Sequence, residues 1–205
     1  MQQEVFRILA IYGSPRREGN TDILMDRFLC GVKVNEISKT RNVVVDRVYV
    51  RDLNISSCIE CRTCSRTGEC AIDDDMQFIY EKLIDADFIA FASPVFFTTV
   101  SGYAKALIDR CQRFWALKYE LKRKIITKSR EGIFISTAGS SSPEIFSCAR
   151  KVMRSFFDVI YVDYCSDFLF NNVDYKGDIL KNEEALKEVY NFGATKKFGN
   201  WLAKE

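Results

Sequence analysis

The chain comprises 205 residues, 47% of them apolar and 13% aromatic, with 30 basic against 28 acidic side chains and no histidine. That composition argues against disorder, gives no electrostatic footprint for nucleic acid or a membrane surface, and removes the histidine on which Ser-His-Asp and Cys-His catalysis depend. Nothing approaches the roughly 18 consecutive apolar residues of a membrane-spanning helix, and the length favours one domain over residues 1–205.

The first element is an apolar run, Val5 to Tyr12, which reads as a buried strand. Its apolar part, Ile8 to Tyr12, is preceded by Glu4 and Arg7 and ends at Gly13, which is not the pattern of a signal peptide. A cytoplasmic address is therefore expected. There the thiol pool stays reduced, so the eight cysteines are core residues, metal ligands or redox groups rather than disulfides. Asn20 to about Val34 has a helical period, with Asn20 or Thr21 as its cap. Val43 to Val50 is β-branched and alternating. A cysteine-rich stretch follows, and then Asp73-Asp74-Asp75 opens a helix with Met76, Ile79, Leu83 and Ile84 on one face.

Asp87 to Ala92 is the third strand and Ser101 to about Leu117 the next helix. Lys122-Arg123-Lys124 and Lys128-Ser129-Arg130 read as a solvated helix end. Gly132 to Thr137 is the fourth strand. Ser142-Pro143-Glu144 starts a helix whose buried face carries Ile145, Ala149, Val152, Met153 and Phe156. A fifth strand lies within Tyr161 to Phe170, and a terminal helix runs from Asn182 to Leu202. Strands alternating with helices in this way imply an α/β fold: a doubly wound, five-stranded parallel sheet with helices on both faces.

Ligands of such sheets bind outside the carboxyl ends of the strands. After strand one comes GSPRREGNT, residues 13–21, where Ser14, Arg16, Thr21 and the N-terminus of a helix suit a phosphate. An ordinary polar loop is the alternative. GxxxxGK[ST] and GxGxxG are both absent, so a monophosphate is favoured over a pyrophosphate. After strand three comes SPVFFTTVSG, residues 93–102, whose Phe96 and Phe97 either line a flat aromatic ligand or fill core. After strand four comes STAGSSS, residues 136–142, small enough for a ligand to approach the backbone closely.

The runs GSPRREGNT, SPVFF and SGYAKALIDR resemble the flavodoxin-like NAD(P)H-dependent FMN reductases. The stretch CIECRTCSRTGEC, residues 58–70, followed by Asp73-Asp74-Asp75-Met76, is similar to the iron–sulfur flavoprotein branch of that superfamily. The resemblance covers roughly residues 5–140. It implies that Ser14, Arg16, Asn20 and Thr21, with Arg17 beside them, hold the FMN phosphate. Pro94, Val95, Phe96 and Phe97 would follow the ribityl chain and ring, and Thr137, Ala138, Gly139 and Ser140 the pyrimidine side. Phe96 stands where relatives often carry tyrosine, and Thr98-Thr99 where they often carry a smaller pair.

Cys58, Cys61, Cys64 and Cys70 have the spacing C-x2-C-x2-C-x5-C, compact enough to wrap a 4Fe–4S cluster, with Gly68 letting the chain return. Zinc and unligated thiols are the alternatives. Cys30, Cys111, Cys148 and Cys165 read as core. The expected function is an FMN-dependent redox protein, relaying electrons between a reduced donor and an acceptor through FMN and the cluster. Flavin carries the chemistry and no side chain is assigned a catalytic role. The donor or acceptor would be a nicotinamide nucleotide, NAD(P)H, a quinone or a redox protein, and the resemblance implies a homodimer or homotetramer. Two further readings stay open: a cluster-free NAD(P)H-dependent FMN or quinone reductase, and a non-catalytic binding module that uses Lys122 to Arg130.

Overall fold

The computed structural model describes residues 4–199. Its centre is a parallel sheet of five strands in the spatial order Asn42–Tyr49, Val5–Tyr12, Phe88–Ala92, Glu131–Thr137, Asp163–Phe170. In chain order the elements are β1 (Val5–Tyr12), α1 (Asn20–Val34), α2 (Ile37–Thr40), β2 (Asn42–Tyr49), α3 (Thr63–Thr67), α4 (Met76–Asp85) and β3 (Phe88–Ala92). There follow a short hairpin of β4 (Val95–Phe96) and β5 (Thr99–Val100), then α5 (Gly102–Arg110), α6 (Gln112–Trp115), β6 (Glu131–Thr137), α7 (Ser147–Val159), β7 (Asp163–Phe170) and α8 (Glu183–Thr195). The five expected strands and their helices are all present. The Asn200 to Leu202 part of the expected terminal helix lies outside the described residues.

The sheet divides the core in two. On one face Leu9, Ile11, Ile89, Phe91 and Phe134 pack against Met76, Ile79, Tyr80 and Leu83 of α4, Leu107 of α5, and Met153 and Phe156 of α7. On the other, Ile8, Ala10, Phe88, Ile133 and Ile135 pack against Leu24, Met25 and Phe28 of α1 and Ala185 and Val189 of α8. Burial on both faces explains why β1 from Ile8 onward and all of β3 are continuous apolar runs rather than alternating ones. Strand order reverses between β1 and β3, which leaves a crevice at their carboxyl ends.

Helices α1 and α8 cross through two glycines. A Cβ on Gly31 would collide with the Tyr190 carbonyl oxygen, and one on Gly193 with that of Phe28. Two backbones in contact bring about close packing that no larger residue permits.

Several expectations about side chains change. Arg130 is 1% exposed rather than solvated. Its guanidinium donates to the carbonyls of Leu83, Ile84 and Ala86 at the end of α4 and to Ile160 just past α7, satisfying orphan acceptors at two helix C-termini. Of the four cysteines expected in the core, only Cys111 is buried. Cys30 falls on the outward face of α1, Cys148 on the first turn of α7 and Cys165 on the edge strand β7, all exposed. Among the described residues, no helix is long and apolar enough to cross a membrane.

Candidate functional site

The loop after β1 delivers its polar groups to the N-terminus of α1. Ser14 Oγ accepts the Arg16 amide at 3.1 Å, closing a tight turn. Gly19 sits at the cap position and supplies no side-chain cap, which leaves first-turn N–H groups of α1 for a ligand. Thr21 Oγ1 points the same way: it is buried and has no hydrogen-bond partner in the protein. An orphaned buried hydroxyl beside a helix N-terminus fits an anion.

Three more segments close the pocket. The β3 loop contributes Pro94, Val95 and Phe96, the β6 end Thr137, Ala138 and Gly139, and the loop after β7 Val173 and Asp174. With Ser14, Arg16, Gly19, Asn20 and Thr21 these residues line one cavity. Gly139 faces the Asp174 side chain closely, and a Cβ there would stand 2.9 Å from Asp174 Oδ1 and push that side chain aside.

Ten of the thirteen residues expected to bind the flavin therefore meet: Ser14, Arg16, Asn20, Thr21, Pro94, Val95, Phe96, Thr137, Ala138 and Gly139. Arg17, Phe97 and Ser140 do not line the cavity. Arg17 turns outward into a fork with Asp52, with one bond of 3.1 Å. Phe97 is wholly exposed at the tip of the β4–β5 hairpin. Both turn residues, Phe97 at φ 47° and Thr98 at φ 65°, lie in the left-handed region that such a two-residue turn demands. Ser140 lies just beyond, its hydroxyl accepting the Ser142 amide.

Asn20 lines the cavity, but its side-chain amide makes three bonds to the loop after β7. It donates to Tyr175 O at 2.9 Å and accepts from the amides of Gly177 and Ile179, which pins the β7 loop as a wall. Arg16 reinforces that wall through Asp174 O at 3.0 Å. Sequence reasoning does not find Val173 and Asp174. Their one signal is the polar turn NNVDYKGD at the carboxyl end of a strand.

The cysteine stretch starts at the same sheet edge but does not stay there. It folds back over α5 and α6, and Cys58, Cys61, Cys64 and Cys70 line one pocket with Arg110, Gln112, Arg113 and Trp115. Ser101, which caps the opposite end of α5, hydrogen-bonds Gly13 O beside the first cavity. The helix between them has 9 residues, and a rise of 1.5 Å per residue separates the two sites by about 13 Å along its axis.

Side chains, not the sheet, hold this stretch. The Arg110 guanidinium, 1% exposed, donates to both Asp74 oxygens, to Ser56 O before the first cysteine and to Ile72 O after the last. Asp74 also accepts the amides of Ser56 and Met76. Gln77 donates to Ile72 O and Arg113 to Gly68 O. Gly68, at φ 84°, ends α3 and turns the chain back toward Cys70.

The eight cysteines are free. Burial, together with the nearby thiols of Cys70, Cys58 and Cys61, pushes the Cys64 thiol up. The Thr63 amide and hydroxyl draw the exposed Cys61 thiol down. All four cysteines line the same pocket. Even so, among the described residues no three His, Cys, Asp or Glu side chains gather closely enough for one metal ion. Tetrahedral zinc, with Zn–S bonds of about 2.3 Å, needs sulfurs roughly 3.8 Å apart, so the stretch as folded does not fit a zinc site. A 4Fe–4S cubane is ligated at four separate irons, which sets its thiolates farther apart. Four thiols around one pocket are the right donor set for it.

The sequence pattern of the NADPH-dependent FMN reductase family matches residues 6–163. The chain is 33% identical over 156 residues to an iron-sulfur flavoprotein of Methanosarcina thermophila, covering 76% of this chain and 73% of that one. It is 34% identical over 119 residues to an iron-sulfur flavoprotein of Methanocaldococcus jannaschii, covering 58% of each; the match thus spans little more than half of that relative. Among solved structures, an NAD(P)H:quinone oxidoreductase from Methanothermobacter marburgensis superposes with a TM-score of 0.65 at 15% identity, over 93% of this chain and 98% of that one. At that identity it speaks for the fold.

Proposed function

Because the chain belongs to the NADPH-dependent FMN reductase family of flavin-dependent oxidoreductases, and within it to the iron-sulfur flavoprotein branch, we propose that it relays electrons between a reduced donor and an acceptor through FMN. FMN accepts a hydride or single electrons and so couples two-electron to one-electron carriers. The observation that carries the reading is the buried, partnerless Thr21 hydroxyl beside the uncapped N-terminus of α1, in a cavity built from four strand-end loops.

In this reading Ser14, Thr21, Arg16 and the first amides of α1 bind the phosphate. Pro94, Val95 and Phe96 flank the ribityl chain and ring, and Thr137 to Gly139 approach the pyrimidine side. Asn20 and Arg16 hold the outer wall. Phe97 reaches the flavin only from beyond the cavity rim. Cys58, Cys61, Cys64 and Cys70 ligate a 4Fe–4S cluster, with Arg110 and Asp74 fixing both ends of the ligand loop. The site of action is the cytoplasm, and the assembly is a homodimer or homotetramer. Nicotinamide nucleotides, quinones and redox proteins are the candidate donors and acceptors.

The cluster-free reductase is the second reading, and what favours it is that the matching family pattern is that of an NADPH-dependent FMN reductase. The non-catalytic module is set aside. The chain belongs to an oxidoreductase family, and three of the five cations of its presumed partner segment are engaged internally: Arg123 with Thr67 O, Lys128 with Asp87, Arg130 with four carbonyls. Anaerobic purification followed by flavin, iron and sulfide analysis tests both readings. FMN with four irons and four sulfides per chain supports the relay. Bound FMN without iron after reconstitution leaves the reductase, and absence of flavin affinity overturns both.

A further inference from the structure

Behind the phosphate loop lies a buried ion pair to which the preceding reading gives no role. Arg51, in the turn Val50–Asp52 after β2, reaches Asp22 Oδ2 at 2.9 Å; the two side chains are 8% and 5% exposed. Its guanidinium also donates to Ser14 O at 3.2 Å and lies over the Tyr49 ring at 4.8 Å. Tyr49 in turn packs on Tyr12 at 4.4 Å. Asp22 accepts the Glu18 amide, and the next residue of the turn, Asp52, takes Arg17. One three-residue turn thus grips the loop at its start, its middle and the first turn of α1. Asp22 follows Thr21 directly, so its carboxylate sits in the same helix turn that faces the anion. Unpaired, it would repel a phosphate there.

We propose that Arg51 is the positioning residue of the phosphate loop: it fixes Ser14 and the first turn of α1, and its charge offsets Asp22 so that the cavity accepts a dianionic phosphate. The inference rests on the reading of this cavity as the FMN site. It adds that selectivity for FMN over riboflavin, which lacks the phosphate, is set from behind the loop by a residue that touches neither flavin.

Equilibrium binding of FMN and of riboflavin, followed by flavin fluorescence at low salt, tests it. Arg51→Met should weaken FMN by about tenfold or more and riboflavin by less than about twofold. Arg51→Lys should recover most of the loss, and the double variant Arg51→Met/Asp22→Asn only the part that comes from the uncompensated Asp22 charge. Asp22→Asn alone, nearly isosteric, should tighten FMN by about threefold and leave riboflavin unchanged. If Arg51→Met does not fold, the Asp22→Asn selectivity ratio decides. Equal losses for the two flavins, or an unaltered ratio in Asp22→Asn, overturn the inference while wild-type FMN binding stands. Wild-type protein that binds neither flavin overturns the reading of the site instead.

Discussion

The cavity at the strand ends and the cysteine stretch are built on opposite principles. The cavity is assembled by the sheet: its polar groups come from four strand-end loops, many of them backbone groups, and its geometry follows from strand order. The cysteine stretch has no strand beneath it and depends on Arg110 and Asp74, one buried pair that also binds the backbone on either side of the cysteines. Changes in the sheet's loops should therefore act locally, whereas losing one charge should release the whole stretch.

Arg110→Met should show the largest effect. It leaves Asp74 buried without its partner, a loss of about 3–5 kcal/mol, read from urea denaturation. Faster labelling of Cys64 and Cys70 by a thiol reagent should accompany it, with FMN affinity held within about threefold. A variant that loses flavin and loop order together would erase the distinction between the two regions. The converse change, Arg16→Ala with Thr21→Ala, should cost FMN about 1.5–3 kcal/mol for the charge-assisted contact and less for the hydroxyl, while thiol labelling stays at the wild-type rate. Cys61→Ala should abolish iron incorporation and leave FMN near stoichiometric, because one missing thiolate labilises a cluster whose other ligands cannot close the site. Iron retained at wild-type levels would count against that ligand.

Acid should separate the regions by sign. Burial opposes ionisation of Asp74, but Arg110 and the amides of Ser56 and Met76 outweigh it and hold the carboxyl below its usual range. Its stabilisation is thus present above the unfolded value near pH 4 and lost as pH falls below that. At Asp22 burial outweighs Arg51 and pushes the carboxyl up. That contribution is present in acid and lost as pH rises from about 4 through the folded value. Urea midpoints between pH 3 and 7 should show Asp74→Asn converging on wild type in acid and Asp22→Asn converging there from the stabilised side. The smallest effect belongs to the hairpin. Phe97 and Thr98 replaced by Asn-Gly should gain about 1–2 kcal/mol by relieving two left-handed residues, visible as a raised denaturation midpoint.

These contrasts also explain what was legible in the sequence. Gly13 to Thr21 could be read because strand, loop and helix start are contiguous, and the same holds for Pro94 to Phe96. Val173 and Asp174 could not, since Asn20 recruits them from more than 150 positions away. Arg110, Asp74 and Arg130 look like ordinary surface charges until helices meet around them. The turn at Phe97-Thr98 carries neither the Asn nor the Gly that usually marks it. Cys30, Cys148 and Cys165 mislead because cysteine is so often buried. The fold follows from local periodicity, whereas a staple or a wall needs partners that only folding brings together.

The glycine crossing of α1 and α8 has a consequence in time. Helix α1 ends at Val34 and α8 begins at Glu183, so a ribosome adding about 5–20 residues per second spends roughly 7–30 s between them. Through that interval Phe28 and Leu29 lack the partner helix that covers them. Because the same helix brings Thr21 to the cavity, that cavity cannot reach its final rigidity before α8 docks. A nascent chain stalled before Glu183 should thus bind flavin weakly and attract chaperones through one greasy helix face.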